Sequence, residues 1–431
     1  MPNMLNRLKW TWPLCQLNRA MAMVAIAATL SLPAYAQDET DWAQWRGPTR
    51  DGQMSANSPA WPGSFAGLKE SWRVTLSPSY SGPVVSGDRV FTTETIDEQF
   101  EAVRAFDRRT GEELWSTKWE GAMTVPFFAK ENGDWIRSTP AIDGDRLYVG
   151  GMRDVLVCLN AETGKTIWQL DFVEQFAAPL PSFGLVCSPL VDGDAVYVQA
   201  GASVFKLNKL TGEVIWRSLQ DEGGMNGSAF SSPIIAEIGG QRQLVVQTRT
   251  TLAGLTLEEG EELWSQQITA FQGMNILTPT VFDGGVFTSA YGSKSEFYSL
   301  TKPEQGDWAV DLKWENKTQG YMSSPVVVGD HAYMHLRNER VTCINLTSGE
   351  STWTTQPFGK YWSMVAQGDR ILALDASGEL LLLQANPEEF TLLDRKQVSE
   401  ESTWAHVAVS GKQIFVRSLT ELIAFSWEDE E

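Results

Sequence analysis

One six-residue phrase limits what this chain can fold into more than any other feature. It reads Thr110-Gly-Glu-Glu-Leu-Trp115 and returns as Thr163-Gly-Lys-Thr-Ile-Trp168 and Thr211-Gly-Glu-Val-Ile-Trp216. It recurs as Glu259-Gly-Glu-Glu-Leu-Trp264 and Ser348-Gly-Glu-Ser-Thr-Trp353. Each copy is a tight turn, with Gly where positive φ is needed, followed by a short strand ending in Trp. A second phrase opens each repeat: Ser81-Gly-Pro83, Ser138-Thr-Pro140, Cys187-Ser-Pro189, Ser231-Ser-Pro233, Leu277-Thr-Pro279 and Ser323-Ser-Pro325. Weaker copies begin at Trp362-Ser-Met364 and Trp404-Ala-His406, so the prolines and their stand-ins recur every 39 to 57 residues.

A chain of 431 residues would otherwise suggest two or three domains, but internal periodicity overrules length. Each unit reads as strand, Gly-Asp turn, strand, loop, strand, Thr-Gly turn, strand, and four short strands make one propeller blade. The expected fold is an all-β, eight-bladed β-propeller over residues 68–427. Trp72, Trp115, Trp168, Trp216, Trp264, Trp314 and Trp353 are expected to pack between blades, because one indole buries roughly 150–250 Å². The rival, an exposed row of ligand-stacking indoles, fits poorly with every Trp sharing one position in its unit. The eighth unit, Trp404 to Trp427, has room for about three strands. Leu68–Leu76, carrying Trp72, is expected to supply the fourth and lock the ring. Residues 37–67 then form an irregular lead-in, and 428–431 an acidic tail.

The first thirty-six residues read as a secretory signal peptide. Arg7, Lys9 and Arg19 precede the apolar run 20–32, and Ala34-Tyr35-Ala36 supplies a small-x-small cleavage pattern, giving a junction between Ala36 and Gln37. The apolar run is too short to span a bilayer of about 30 Å as a helix. The protein is therefore expected to be exported, periplasmic or extracellular, without a membrane span. Its net charge of −20 becomes −23 once the leader, with three basic and no acidic residues, is removed. Nucleic acid and anionic lipid are unsuitable partners for such a surface. Of the cysteines, Cys158, Cys187 and Cys343 lie beyond the leader; an odd number cannot form a complete disulfide framework, so buried free thiols are expected.

The eightfold Ser/Thr-Pro plus Thr-Gly-x-x-x-Trp pattern resembles the quinoprotein (PQQ-like) β-propeller repeat family, with its quinoprotein alcohol dehydrogenase-like fold. Within that family it is most similar to the non-enzymatic branch typified by the outer-membrane assembly factor BamB. The lead-in Asp41-Trp-Ala-Gln-Trp-Arg-Gly-Pro-Thr-Arg-Asp-Gly52 is similar to the segment preceding the propeller in exported members. Family dehydrogenases carry a vicinal Cys pair, a calcium-binding Glu, Asn and Asp, and in some cases a Cys-x-x-Cys-His haem motif. No two cysteines adjoin here, the haem motif is absent, and the calcium trio cannot be placed, so no family active-site residue carries over.

The residues themselves offer no catalytic constellation. His331 and His335 have the spacing of a helical zinc pair but lie in an alternating, strand-like stretch, where four residues span about 13 Å. With only His406 besides, and no thiol beside a His, nucleophilic triads have no candidate. Acidic residues gather in turns such as Asp192-Gly-Asp194, where turn formation explains them.

What remains is a surface. The loops between each Trp strand and the next Ser/Thr-Pro emerge on one face and are unusually aromatic. Phe127, Phe128, Trp135, Arg137, Phe183, Met225, Phe230, Met274, Tyr321, Tyr361 and Trp362 are the candidate binding residues. They form either an exposed recognition patch or a plug for the ring's channel. The expected function is a cell-envelope scaffold binding protein or peptide partners, by resemblance in outer-membrane protein assembly, with no cofactor and no metal. The alternatives are a PQQ-dependent dehydrogenase, which would need PQQ with calcium, and a small-molecule or glycan sensor.

Overall fold

The computed structural model describes residues 41–427, except residues 224–226 and 228 and the side chains of residues 131 and 132. The expected leader with its Ala36/Gln37 junction, the candidate Met225, and the tail 428–431 lie outside the described residues. The architecture is eight four-stranded antiparallel sheets.

Blade 1 comprises Val84–Ser86, Arg89–Ile96, Phe100–Asp107 and Glu113–Glu120; blade 2 comprises Ala141–Asp143, Arg146–Gly151, Val155–Asn160 and Thr166–Asp171. Blades 3 to 7 repeat the order, starting at Leu190, Ile234, Thr280, Val326 and Ser363. Blade 8 draws from both ends of the described chain. Ala408–Ser410, Gln413–Arg417 and Glu421–Trp427 are joined by Leu68–Thr75, which pairs antiparallel with Glu421–Trp427. In blades 1 to 6 the innermost strand begins on the residue after the repeat's Pro, where a missing N–H costs no ladder bond.

The middle strands are buried on both faces because each sheet is sandwiched between its neighbours. Val155–Leu159 and Leu380–Leu383 are enclosed throughout, which explains their continuous apolar runs in place of period-two alternation. The fourth strands face solvent on one side and alternate accordingly.

Every fourth strand carries a β-bulge, and in all but blade 7 it falls just before a Trp. In blade 1, Trp115 opposes Ala105 while Glu113 opposes Phe106, which leaves Leu114 as the extra residue. The same shift precedes Trp168, Trp216, Trp264, Trp314, Trp353 and Trp72. A bulge bends the strand and re-aims a side chain; here it turns each indole toward the following blade.

Six of these indoles donate Nε1–H to a backbone carbonyl of the next blade: Trp72 to Arg108, Trp115 to Ala161, Trp168 to Lys209, Trp216 to Leu257, Trp314 to Leu346 and Trp353 to Asn386, at 2.7–3.2 Å. Trp264 instead bonds Gln243 within its own blade at 2.6 Å. The Thr-Gly turn exists for this docking. A Cβ on Gly212, whose φ is +75°, would lie 2.8 Å from the Trp168 ring. Only a residue without a side chain both adopts that backbone and leaves the indole its seat. The three described cysteines are free and buried, and burial pushes the Cys158 thiol up to about 12 and that of Cys187 to about 11.

Candidate functional site

The Ser or Thr preceding the Pro of blades 2 to 6 forms an inner circlet. Gly82 N donates to Thr139 Oγ1, Thr139 N to Ser188 Oγ, Ser188 N to Ser232 Oγ and Thr278 N to Ser324 Oγ, each at 3.0 Å. Each hydroxyl satisfies a buried N–H of the preceding blade, which is why the repeat keeps Ser or Thr there.

Inside that circlet lies the lead-in. Trp42 pairs with Val85 of blade 1, the Ala43 carbonyl accepts from Ile142 N of blade 2, and Gln44 accepts from Val191 N of blade 3. Trp45 Nε1 donates to Thr278 Oγ1 before blade 5, and Gln53 reaches Val327 of blade 6 and Ala366 of blade 7. Two arginines fill the hub. Arg50 donates to the carbonyls of Pro233, Pro189 and Ser188 at 2.8, 2.8 and 2.9 Å. Arg46 donates to the carbonyls of Asp51, at 2.8 Å, and Pro325. Both are almost wholly enclosed; burial lowers the Arg46 guanidinium to about 10 and that of Arg50 to about 9, so both stay cationic at neutral pH. Gly52, at φ +78°, lets the segment pass Met364, whose carbonyl would sit 3.0 Å from a Cβ. The channel is therefore filled by residues 41–54, and not by the aromatic loops.

Those loops stand above the plug and enclose a cavity of about 340 Å³ with Trp45 reaching it from below. Each of the eight inter-blade loops contributes one aromatic ring to the wall: Tyr80, Phe128, Phe183, Phe230, Phe271, Tyr321, Tyr361 and Trp404. The rings touch in two arcs. Phe128, Phe183 and Phe230 succeed one another with centroids 6.4 and 5.7 Å apart. Phe271, Tyr291, Tyr321, Tyr361, Trp404 and Tyr80 form the longer arc, at successive spacings of 5.3, 4.9, 5.8, 4.9 and 4.8 Å. Such spacings suit offset and edge-to-face contacts. Arg137 stands at the Tyr80 end of the longer arc, its guanidinium 5.7 Å from the Tyr80 centroid.

Of the candidate residues, Phe128, Arg137, Phe183, Phe230, Met274, Tyr321 and Tyr361 line this bowl. Phe127 stands outside on the rim, 86% exposed, edge-on to Phe128. Trp135 is half-buried, packed against Gly133 and absent from the bowl's lining. Trp362 is a correction: it is 1% exposed in the core between blades 6 and 7, stacked on His335 with centroids 5.3 Å apart. Its register suggested the face, but the Gly359 turn folds it inward beneath Tyr361.

Sequence reasoning missed Tyr80, Tyr291, Trp404 and Trp45. Tyr80 had a signal, since the residue three before the Pro lines the bowl in blade after blade: Tyr80, Arg137, Val186, Phe230, Ile276 and Met322. The bowl's described lining holds one cation, Arg137, and no carboxylate. Burial holds Tyr80 and Tyr321 above the ordinary phenol range, so their hydroxyls stay neutral at physiological pH.

The family model described as "Outer membrane protein assembly factor BamB" matches residues 99–355. The chain belongs to that family. Among curated relatives, BamB of Yersinia pestis is 23% identical over 289 residues, covering 64% of this chain and 66% of that protein. Among solved structures, BamB from Moraxella catarrhalis superposes with a TM-score of 0.62 at 15% identity, covering 84% of this chain and 99% of that one. The quinohemoprotein alcohol dehydrogenase ADHIIG from Pseudomonas putida HK5 reaches the same TM-score at 12% identity, covering 91% and 81%. At these identities the likeness shows the fold alone, and one fold hosts both binding and redox proteins.

The residues decide what the fold leaves open. A tricarboxylate quinone with calcium requires a hard-oxygen cage and several compensating cations. Among the described residues, the bowl of this BamB-family chain offers neither, and no cluster of three or more His, Cys, Asp or Glu could hold a metal. The hub carbonyls of Pro189, Pro233 and Pro325 already face arginine. The residues present do not fit PQQ with calcium.

Proposed function

We propose that the chain is a periplasmic scaffold of the cell envelope that assists outer-membrane protein assembly by holding protein or peptide segments in its aromatic bowl. The observation that carries this reading is one ring from each of eight loops, assembled over a sealed hub. Concave apolar sites with a few polar groups are where proteins bind ligands, and aromatic anchors concentrate binding energy. The relatives' name, outer membrane protein assembly factor, suggests the class of partner. Among the described residues no helix is long and apolar enough to cross a membrane.

The test uses the full chain and a fluorescently labelled outer-membrane β-barrel polypeptide, diluted from denaturant and followed by anisotropy. Replacing Phe128, Phe183 and Phe230 together by Ser should weaken binding at least tenfold while leaving the melting temperature within a few degrees. Unchanged affinity in that triple variant would overturn the assignment of the bowl.

A further inference from the structure

The bowl is blind. Trp45 and the hub arginines close it below, so anything entering must leave by the same mouth. Its volume of about 340 Å³ is near the lower end for ligand sites and admits only one or two large side chains. An internal stretch of polypeptide would have to double back within that space, whereas a chain end enters once.

The electrostatics add a second constraint. Arg137 Nη2 donates to the Gly133 carbonyl at 2.6 Å, but its enclosed Nε has no hydrogen-bond partner and the guanidinium makes no ion pair among the described residues. The neighbouring Asp134 carboxylate accepts from Val125 N at 2.8 Å. Arg137 itself is half-buried on the bowl wall, where burial lowers its guanidinium and the Asp134 charge offsets only part of that loss; a guanidinium so placed still gains from a charge-assisted hydrogen bond to an anion. On a chain of net charge −20, a cation without an ion pair among the described residues and set beside aromatic rings suits an anion that also carries an apolar group. The side of the collar formed by Tyr291, Tyr321 and Tyr361 is backed by Arg337 and Lys360, whose cations lie 4.5 and 4.9 Å from the Tyr291 and Tyr361 centroids, with Glu339 beside them.

From these we infer that the bowl receives the carboxy-terminal residue of a partner polypeptide, its large apolar or aromatic side chain against the collar and its free carboxylate on Arg137. The inference rests on the bowl being the recognition site and deepens it by naming what the site reads.

The experiment titrates the full-length chain with a short apolar peptide ending in Phe, as free acid, as the carboxamide, and with two glycines appended after the Phe. Trp45 and Trp404 provide an intrinsic fluorescence readout, and N-acetyl-phenylalanine serves as the small-molecule control. The free acid should bind roughly ten- to a hundredfold more tightly than the amide, the range a charge-assisted hydrogen bond supports. The glycine extension should lose most binding. In Arg137→Met, acid and amide should bind alike, and Arg137→Lys should restore part of the preference, which separates recognition from misfolding. Equal affinity for acid and amide, absence of binding to any peptide, or a preference that survives in Arg137→Met overturns the inference. N-acetyl-phenylalanine binding as tightly as the peptide would replace the chain end by a small aromatic acid. Loss of the unfolded polypeptide in the triple Phe variant, alongside any of these results, would leave the broader bowl reading standing.

Discussion

Truncating Arg50 to Ala should destabilise the protein by about 3 kcal/mol, and the estimate follows from opposed contributions at the hub. Arg50 makes three hydrogen bonds to backbone carbonyls, each worth about 1.5–3 kcal/mol when the donor is charged. Against them stands the removal of the guanidinium from water, which lowers it from 12.5 to about 9. At 1.36 kcal/mol per pH unit that is a cost on the order of 5 kcal/mol, which offsets a large part of the roughly 4.5–9 kcal/mol the three bonds supply. The loss on truncation comes from the carbonyls of Pro233, Pro189 and Ser188 left without a donor in an enclosed hub, about 1–3 kcal/mol apiece unless water enters. Alanine vacates enough polar space for water to satisfy some of them. With an unfolding entropy near 2.1 cal/mol/K per residue, about 3 kcal/mol corresponds to a fall of roughly 4 °C in Tm. Differential scanning calorimetry measures it. Arg50→Met fills the space, excludes water and keeps all three carbonyls orphaned, so it should melt lower than Arg50→Ala. A Tm within 1 °C of the parent for Arg50→Ala, or Arg50→Met melting above it, would refute the hub account.

Two buried groups should shape stability against pH in opposite senses. Glu101 accepts from Met152 N and Trp119 Nε1, yet desolvation raises its carboxyl from 4.5 to about 8. Its contribution is full below pH 4.5 and is lost as pH climbs toward 8, by a few kcal/mol; urea titrations of Glu101→Gln should show that decline flattened, and an unaltered slope would contradict it. His406 is packed against Trp42 and Trp45, and burial with the Arg46 charge depresses it to about 3. Its contribution is full above pH 6.5 and is lost on acidification toward 3, so His406→Phe should blunt acid unfolding, and equal acid midpoints for the two proteins would count against this.

The blades were legible because their chemistry is periodic. A Trp needs a Gly to dock on and a circlet N–H needs a hydroxyl, and both demands recur at fixed spacing in the sequence. The hub was not legible, because Arg46 and Arg50 bond to main-chain carbonyls, which leave no complementary side chain to find. The one available hint was chemical: two Trp and two Arg within residues 42–50 of an acidic chain, a density that a solvated lead-in does not need. The bowl was half legible. Loop aromatics are visible as composition, but whether a ring faces the cavity or the core depends on one turn, as the adjacent Tyr361 and Trp362 show by pointing in opposite directions.

That separation of duties explains how one propeller serves different ends. Blade-to-blade cohesion resides in the bulge-aimed indoles, the hydroxyl circlet and the arginine hub, and none of the collar rings takes part in those hydrogen bonds. The collar can therefore change without loosening the ring, while the plug beneath keeps its floor fixed. A site whose floor is rigid loses little freedom on binding, and affinity then depends on which rings and charges the eight loops present. Among the described residues of this chain those are aromatic faces beside the Arg137 guanidinium with no carboxylate in the lining, an arrangement poorly suited to a metal-bound cofactor.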